Sequence, residues 1–122
     1  ASDIYNEGYI TYANESKHKI LGVKKKTLKN EGAVSEACAK EMAKGAAKAA
    51  GANAAVAVTG IAGPGGGTEE KPVGLVYIAC SINGKVWVEQ HQLNGDRQKV
   101  RDLTVKRALD MLRRCIKECK ED

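Results

Sequence analysis

A glycine-rich segment between two apolar runs constrains this chain more than any other feature of its sequence. Residues 59–74 read TGIAGPGGGTEEKPVG, in which six residues are Gly and two are Pro. AAVAV at 54–58 precedes the segment and LVYIAC at 75–80 follows it, and both runs are typical of buried strands. Gly loses more conformational freedom on folding than other residues, so ordering such a loop is costly. We therefore expect the loop either to bind a ligand or to be a mobile linker.

The polar residues around the glycines favour ligand binding. Open α/β sheets usually bind ligands at the carboxyl ends of their strands, and residues without Cβ atoms let backbone N–H groups approach an anion. The glycine spacing matches neither the Walker A pattern nor GxGxxG. Thr59 stands at the exit of the strand, and Glu69, Glu70 and Lys71 follow the glycines. A linker needs none of these polar groups.

The patterns on either side of the loop predict an α/β domain, with helices packed on a mixed β-sheet. GYITYA at 8–13 alternates as a strand does, and 14–23 predicts a short helix that Gly22 ends. An Ala-rich helix is predicted over 35–51, with Ser35 as its N-cap.

The second half of the chain predicts a strand, a hairpin and a long helix. The apolar run at 54–58 is consistent with a strand buried on both faces. Asn83 and Gly84 suit a two-residue type I′ turn between two alternating runs. From Asp96 the chain reads as one helix, and its predicted apolar stripe comprises Val105, Ala108, Leu109, Leu112 and Ile116.

Length and composition indicate one soluble domain. The chain has 122 residues, of which 43% are hydrophobic and 29% charged, and no apolar run approaches the roughly 20 residues that span a bilayer. No signal peptide is visible, so we expect a cytoplasmic protein. The four Cys residues form no CxxC pair and the two His residues offer no companion spacing, so no metal site is predicted.

The formal net charge of +5 indicates an anionic partner, either a phosphorylated small molecule or nucleic acid. One Trp, four Tyr and no Phe provide little aromatic surface for stacking bases. We therefore favour the small anion over nucleic acid as the partner, and we do not expect a membrane.

Two further positions carry groups that suit a reaction site. YANESK at 12–17 places Tyr12 at the end of the predicted strand and Lys17 in the first helical turn. The helix macrodipole opposes a cation there, which favours the neutral amine that a general base requires. Arg97 begins the last helix, where a guanidinium suits a phosphate. For both Lys17 and Arg97, the alternative is an exposed surface residue without a role.

Four separated stretches of the sequence form a distinctive set. They are GYITYANESKHKILGV (8–23), EGAVSE (31–36), the loop at 59–74, and NGDR (94–97). Together they resemble the C-terminal domain of the CinA family, whose stand-alone relatives are nicotinamide mononucleotide deamidases. The resemblance covers nearly all of 1–122 and implies an amidohydrolase without a cofactor. Such an enzyme hydrolyses the carboxamide of nicotinamide mononucleotide to the carboxylate and releases ammonia, for pyridine nucleotide recycling.

Carried over by position, the resemblance implies roles for the residues already noted. Lys17 is the general base that activates a serine nucleophile, and Tyr12 positions or polarises the site. The resemblance also makes Thr59 a catalytic residue that lines the substrate site. It places Arg97 near the region that binds the phosphate or the nicotinamide. The glycines implied in substrate binding are Gly60, Gly63, Gly65 and Gly66.

The chain departs from the family pattern in one respect. The family carries a TAESCTGG-like segment with the nucleophilic serine upstream of the Tyr and Lys motif, and this sequence contains no such segment. We therefore expect an N-terminally truncated domain that lacks its first strand and helix and is inactive by itself. Uncovered β-edges and an apolar helix predict self-association, most simply as a dimer. A non-catalytic nucleotide-binding or regulatory module remains an alternative, as does, less favoured, a nucleic-acid-binding domain.

Overall fold

The computed structural model describes residues 14–121, which form four helices and three strands. The helices are α1 (Asn14–Leu21), α2 (Lys25–Asn30), α3 (Glu36–Ala50) and α4 (Arg97–Glu121). The strands are β1 (Ala54–Gly60), β2 (Leu75–Ile82) and β3 (Lys85–Gln92). The strand predicted over 8–13 lies outside the described residues.

The three described strands form one sheet in the order β1-β2-β3, and both strand pairs are antiparallel. Val56 of β1 lies opposite Cys80 of β2, which in turn lies opposite Trp87 of β3. The predicted packing of helices on a sheet is confirmed. The sequence pattern predicted a mixed sheet, whereas the pairing within the described part of the chain is antiparallel throughout.

The strand that is buried on both faces is β2, which corrects the interpretation of the run at 54–58. Every residue of β2 is buried except the half-buried Tyr77. β1 instead alternates between buried and exposed positions, and its Val58 is 38% exposed. The reason is the strand order, because β2 has a neighbour on each side while β1 pairs with β2 alone among the described strands.

Helices cover both faces of β2 and create two cores. The core on the α3 side contains Cys38, Ala39, Met42, Ala43, Ala57 and Ala79. The core on the α4 side contains Val76, Ile78, Cys80, Val100, Met111 and Cys115. Successive side chains of a strand point to opposite faces, so β2 contributes to both cores by simple alternation.

Local signals in the sequence set several element boundaries. The hydroxyl of Ser35 accepts a hydrogen bond from the N–H of Cys38 at 3.2 Å and caps α3, as predicted. Gly51 ends that helix in the left-handed region at φ 61°. Asn83 and Gly84 have φ values of 49° and 86°, the positive values that the predicted hairpin turn requires.

The prediction of which apolar residues α4 buries is wrong in part. Ala108 and Leu112 are half-buried beside the α4 core, but Val105, Leu109 and Ile116 are 58%, 63% and 39% exposed. The side chains that α4 buries are those of Val100, Met111 and Cys115. These lie about a third of a turn around the helix from the exposed stripe.

Candidate functional site

The glycine-rich loop leaves the end of β1 and returns at the start of β2. Its base is closed by backbone hydrogen bonds, in which Ile61 N–H donates to the Leu75 carbonyl at 3.0 Å and Gly74 N–H donates to the Ile61 carbonyl at 2.7 Å. Further along, Thr68 N–H donates to the Lys71 carbonyl at 2.9 Å. These bonds give the loop a defined conformation, which favours a binding loop over a mobile linker.

The four glycines implied in substrate binding differ in their surroundings. A Cβ on Gly60 would lie 2.8 Å from a carbonyl oxygen of β2, and a Cβ on Gly63 would lie 2.6 Å from Cγ1 of Val73. Gly63 and Gly66 also have φ values of 86° and 90°. A Cβ on Gly65 would meet no atom within 4 Å. The fold therefore needs glycine at 60 and 63, whereas Gly65 faces open space that a ligand can enter.

Arg97 contacts the loop from the start of α4. Its Nη1 donates to the carbonyl of Gly63 at 2.8 Å. The preceding Asp96 caps the helix by accepting the N–H of Lys99 at 2.8 Å, which fixes the backbone next to Arg97. A guanidinium has five N–H donors, so this bond leaves donors for an anionic ligand beside the loop. Arg97 and the predicted binding loop are thus in direct contact.

Thr59 ties the end of β1 to residues 31–35, the segment that joins α2 to α3. Thr59 is buried, and its Oγ1 donates to the carbonyl of Ala33 at 2.8 Å. Lys71 of the glycine-rich loop reaches the same segment, where its Nζ donates to the carbonyl of Glu31 at 2.6 Å. The segment is therefore held by both the strand end and the loop that follows it.

Lys17 lies on α1 and is only 6% exposed, which is rare for a lysine side chain. α1 packs against α3. Burial raises the pKa of the Cys38 thiol on α3, and the positive charge of nearby Lys17 opposes that rise. Cys38 stands in the first turn of α3, which Ser35 caps. Lys17 is therefore buried on the helix that packs against α3, near enough to Cys38 for its charge to act on that thiol.

Thr59 bonds to the segment before α3, the charge of Lys17 acts on Cys38 in the first turn of α3, and Arg97 bonds to the glycine-rich loop. Tyr12, the other residue implied in catalysis, lies outside the described residues. The burial of Lys17 excludes the alternative of an exposed surface lysine.

The described serines are poor nucleophile candidates. Ser35 is committed to capping α3, and its Oγ also donates to the carbonyl of Gly32 at 2.8 Å. Ser81 is buried in β2. Ser16 precedes Lys17 on α1, and neighbouring residues of a helix point about 100° apart. The described bonds and positions of these three serines thus indicate structural roles or surface placement, and none of them is singled out as a nucleophile.

An open groove of about 550 Å³ adjoins the site and contains residues that the sequence analysis did not single out. Ser35 and Lys71 line it together with Lys40, Lys44 and Tyr77. The i, i+4 spacing of the two α3 lysines could have indicated a shared face. The position of Tyr77 depends on its strand being next to α3, which local pattern does not encode. No cluster of three or more metal-ligating side chains occurs in the described part of the chain.

An antiparallel sheet with helices on both faces, a buried lysine and a glycine-rich loop make up a small α/β domain. The family model of the CinA C-terminal domain matches residues 1–116. The chain belongs to the CinA C-terminal domain family.

Relatives of known sequence support this assignment. A competence-damage inducible protein of Clostridium perfringens is 58% identical over 113 residues, which are 93% of this chain and 27% of that protein. A protein of the same description from Clostridium acetobutylicum is 56% identical over 113 residues, 93% of this chain and 28% of that protein. The chain thus spans little more than a quarter of these relatives.

Solved structures show the same fold. The competence/damage inducible protein CihA of Agrobacterium tumefaciens superposes with a TM-score of 0.81 at 50% identity, covering 84% of this chain and 63% of that one. A CinA superfamily protein of Enterobacter cloacae gives 0.87 at 35% identity, covering 91% and 66%. No helix among residues 14–121 is both long and apolar enough to cross a membrane.

Proposed function

We propose that this domain is the base-bearing and substrate-binding part of a nicotinamide-nucleotide amidase. The single observation that carries the proposal is the burial of Lys17, a residue type that is almost always exposed, on the helix that packs against α3. A lysine withdrawn from water is suited to proton transfer, unlike a solvated surface lysine.

In the proposed reaction, the Lys17 amine removes the proton of a serine hydroxyl supplied from upstream of the described residues. The serine oxygen attacks the carboxamide carbon of nicotinamide mononucleotide and forms a tetrahedral intermediate. The Lys17 ammonium returns the proton to the departing nitrogen, which leaves as ammonia. Lys17 then deprotonates a water that hydrolyses the acyl-enzyme, and the proton passes to the serine oxygen to release nicotinic acid mononucleotide.

The glycine-rich loop and Arg97 hold the nucleotide in this proposal. The space next to Gly65 is open, since a Cβ there would meet no atom within 4 Å, and the guanidinium of Arg97 lies against the same loop through its bond to Gly63. Backbone N–H groups of the loop and the guanidinium are donors suited to a phosphate or carboxylate oxygen. Thr59 acts as a positioning residue, because its hydroxyl proton is engaged with the Ala33 carbonyl.

The test compares two proteins that differ only in their upstream segment. One is this 122-residue chain, and the other is the same chain preceded by the segment that precedes the matched residues in the Clostridium perfringens relative. Both are incubated with nicotinamide mononucleotide, and ammonia and nicotinic acid mononucleotide are quantified. We expect both products in equal amounts from the longer protein and neither from the shorter one. Turnover by the 122-residue chain at the same rate would refute the upstream nucleophile.

A non-catalytic nucleotide-binding module is the second candidate, because Ser35 caps α3 and Ser81 is buried in β2, while Arg97 contacts the glycine-rich loop. Binding of the mononucleotide by the longer protein without ammonia release would select this function. Homodimerisation and a cytoplasmic location stay predictions.

A further inference from the structure

Three of the four cysteines lie on the α4 side of the sheet. Cys80 of β2 and Cys115 of α4 are buried in the core on that side. Cys119, one helical turn beyond Cys115, is half-buried beside the same core. Cys38 lies in the core on the opposite face of β2. The proposed amidase reaction uses none of these thiols, although cysteine is intrinsically a strong nucleophile.

The thiols of Cys80 and Cys115 are hydrogen-bonded to each other between the sheet and α4. Burial is the main reason why the pKa of each thiol is raised, and the hydrogen bond adds to the rise at Cys80 but opposes it at Cys115. The S–H of Cys80 is therefore the donor and the sulfur of Cys115 is the acceptor. A single buried cysteine packs as a small apolar residue, but two thiols in contact can also be joined by oxidation.

Neighbouring contacts hold this pair in place. Arg114, the residue before Cys115, makes two hydrogen bonds, of 2.7 and 2.9 Å, to Glu89 of β3. Met111, one turn earlier on α4, is buried in the same core. Cys80 is fixed from the other side, because β2 is paired with a strand on each edge. The two sulfur atoms thus meet between well-anchored elements, and a disulfide of about 2.05 Å requires them to move closer together without a change of partner.

Other pairings of the cysteines fit the structure less well. The sheet separates Cys38 from Cys80 and Cys115, because the two cores lie on opposite faces of β2. Cys115 and Cys119 are four residues apart on α4, where Cβ atoms are about 5–6 Å from each other. A disulfide needs Cβ atoms about 3.5–4.5 Å apart, so this spacing is too long in a regular helix. Among residues 14–121, the pair also belongs to no cluster of three or more metal-ligating side chains.

We propose that Cys80 and Cys115 form a reversible intramolecular disulfide when a hydroperoxide oxidises the pair, and that this bond ties α4 to β2. Cys115 reacts first, since its hydrogen bond from Cys80 and the nearby charge of Arg114 favour its thiolate. A hydroperoxide is small and uncharged, so it reaches the core on local opening more readily than a bulky or charged oxidant. This inference does not depend on the amidase reaction.

The reaction balances with one molecule of hydrogen peroxide. The Cys115 thiol loses its proton, and its sulfur attacks one peroxide oxygen. The O–O bond breaks to give a sulfenic acid and hydroxide, which takes up that proton and leaves as water. The sulfur of Cys80 then attacks the sulfur of Cys115 and breaks its S–OH bond, and the hydroxyl leaves as a second water with the proton of Cys80. The two thiols lose two electrons in all, and a dithiol reductant reverses the change.

The test treats the reduced 122-residue chain with hydrogen peroxide and maps its disulfides after free thiols are blocked. Trypsin cleaves after Arg114 and Lys117, so Cys115 and Cys119 fall in separate peptides. We expect a linked pair of peptides that contain Cys80 and Cys115 as the main disulfide product, and dithiothreitol should separate them. A main product that links Cys119, a disulfide-linked dimer, or oxidation without any disulfide would overturn the proposal.

Oxidation should also stabilise the fold. The new bond closes a covalent loop that runs from β2 through β3 into α4, and so restricts the unfolded chain. We expect the oxidised protein to unfold at a temperature about 5 °C or more above that of the reduced protein, and dithiothreitol should remove the difference. A protein that carries the Cys80–Cys115 bond and unfolds at a lower temperature would contradict a pair that the fold holds in position for bonding.

Alanine variants assign the effect to this pair. Cys80→Ala and Cys115→Ala should each abolish both the disulfide and the shift in unfolding temperature. Cys119→Ala is the matched control, because it removes the thiol one turn further along α4, and it should leave both unchanged. Circular dichroism of the reduced variants shows which are folded, and either pair variant suffices if the other is not. A peroxide-induced shift of the same size in a folded pair variant would overturn the proposal, as would loss of the disulfide in Cys119→Ala.

Discussion

The hydroxyl of Thr59 donates to the carbonyl of Ala33 at 2.8 Å, and this bond joins the end of β1 to the segment that precedes α3. The glycine-rich loop begins directly after Thr59, and the charge of the buried Lys17 acts on Cys38 in the first turn of α3. The bond therefore links the two halves of the candidate site. It also explains why a polar residue is buried at position 59, since the hydroxyl has a hydrogen-bond partner there.

Thr59→Val is expected to lower the free energy of unfolding by about 1–3 kcal/mol, because it leaves the Ala33 carbonyl without its donor at the same side-chain volume. Thr59→Ser keeps the hydroxyl and is expected to lose less. Urea unfolding of the three proteins measures the difference. A valine variant as stable as the unmodified protein would show that the bond contributes nothing.

Gly65→Ala is expected to weaken ligand binding, whereas Gly63→Ala is expected to lower the stability of the fold. A methyl at 65 meets no atom of the protein, so stability should be unchanged while nicotinamide mononucleotide binding weakens. A methyl at 63 would lie 2.6 Å from Val73 Cγ1 on a residue with φ 86°, so it should destabilise the fold. Thermal unfolding and calorimetric titration separate the two effects. Undiminished ligand binding by a fully folded Gly65→Ala protein would remove the loop from the binding site.

The ion pair between Arg114 and Glu89 is expected to make stability depend on acid pH. Hydrogen bonds from Arg114 and then His91 hold the pKa of Glu89 below its ordinary 4.5, against the opposing effect of burial. The lowered pKa contributes stability that is present above the unfolded pKa of Glu89 and is lost as the pH falls through the folded value. Arg114→Gln should raise that pKa and flatten the acid limb of the stability curve.

NMR titration of Glu89 tests this directly. Arg113→Gln is the control, because Arg113 bonds to Asp110 and has no bond to Glu89. An unchanged Glu89 titration in Arg114→Gln would contradict the account.

The four cysteines are expected to differ in reactivity. Cys80 is buried, and burial together with the neighbouring Cys115 raises its pKa to about 12, so little thiolate forms near neutral pH. Cys38 and Cys115 are buried as well, whereas Cys119 is half-buried on α4. Iodoacetamide and peptide mapping at pH 8 should find Cys119 modified first. Earlier modification of Cys80 would mean that the α4 core is open.

Signals confined to a few neighbouring residues predicted their structures well. Ser35 and Gly51 bound α3 because a cap depends on the adjacent turn alone, and Asn83 with Gly84 sets the hairpin for the same reason. α2 was missed because its N-cap residue, Lys24, provides no side-chain cap. It is held instead by Glu41 of α3, whose Oε1 accepts the N–H of Lys24 at 2.8 Å.

Features that depend on distant parts of the chain could not be predicted. The apolar residues of α4 cover a wide arc of the helix surface, so the sequence alone does not show which part of the arc is buried. The position of the sheet decides that Met111 is buried and Leu109 exposed. In the candidate site, Lys17, Thr59 and Arg97 could be selected from the sequence because their side chains suit catalysis or ligand binding. The partners of two of them, Ala33 for Thr59 and Gly63 for Arg97, are 26 and 34 residues away and follow from the tertiary fold.

The measurement that tests the central claim most directly is ammonia release from nicotinamide mononucleotide by the longer protein, compared with its Lys17→Ala and Lys19→Ala variants. Lys19 is the matched control, because it lies on the same helix but is exposed and pairs with Glu15 at 2.7 Å. If Lys17 is the general base, Lys17→Ala abolishes ammonia release while mononucleotide binding persists, and Lys19→Ala retains full activity. Ammonia release by Lys17→Ala at the rate of the unmodified protein would contradict the account.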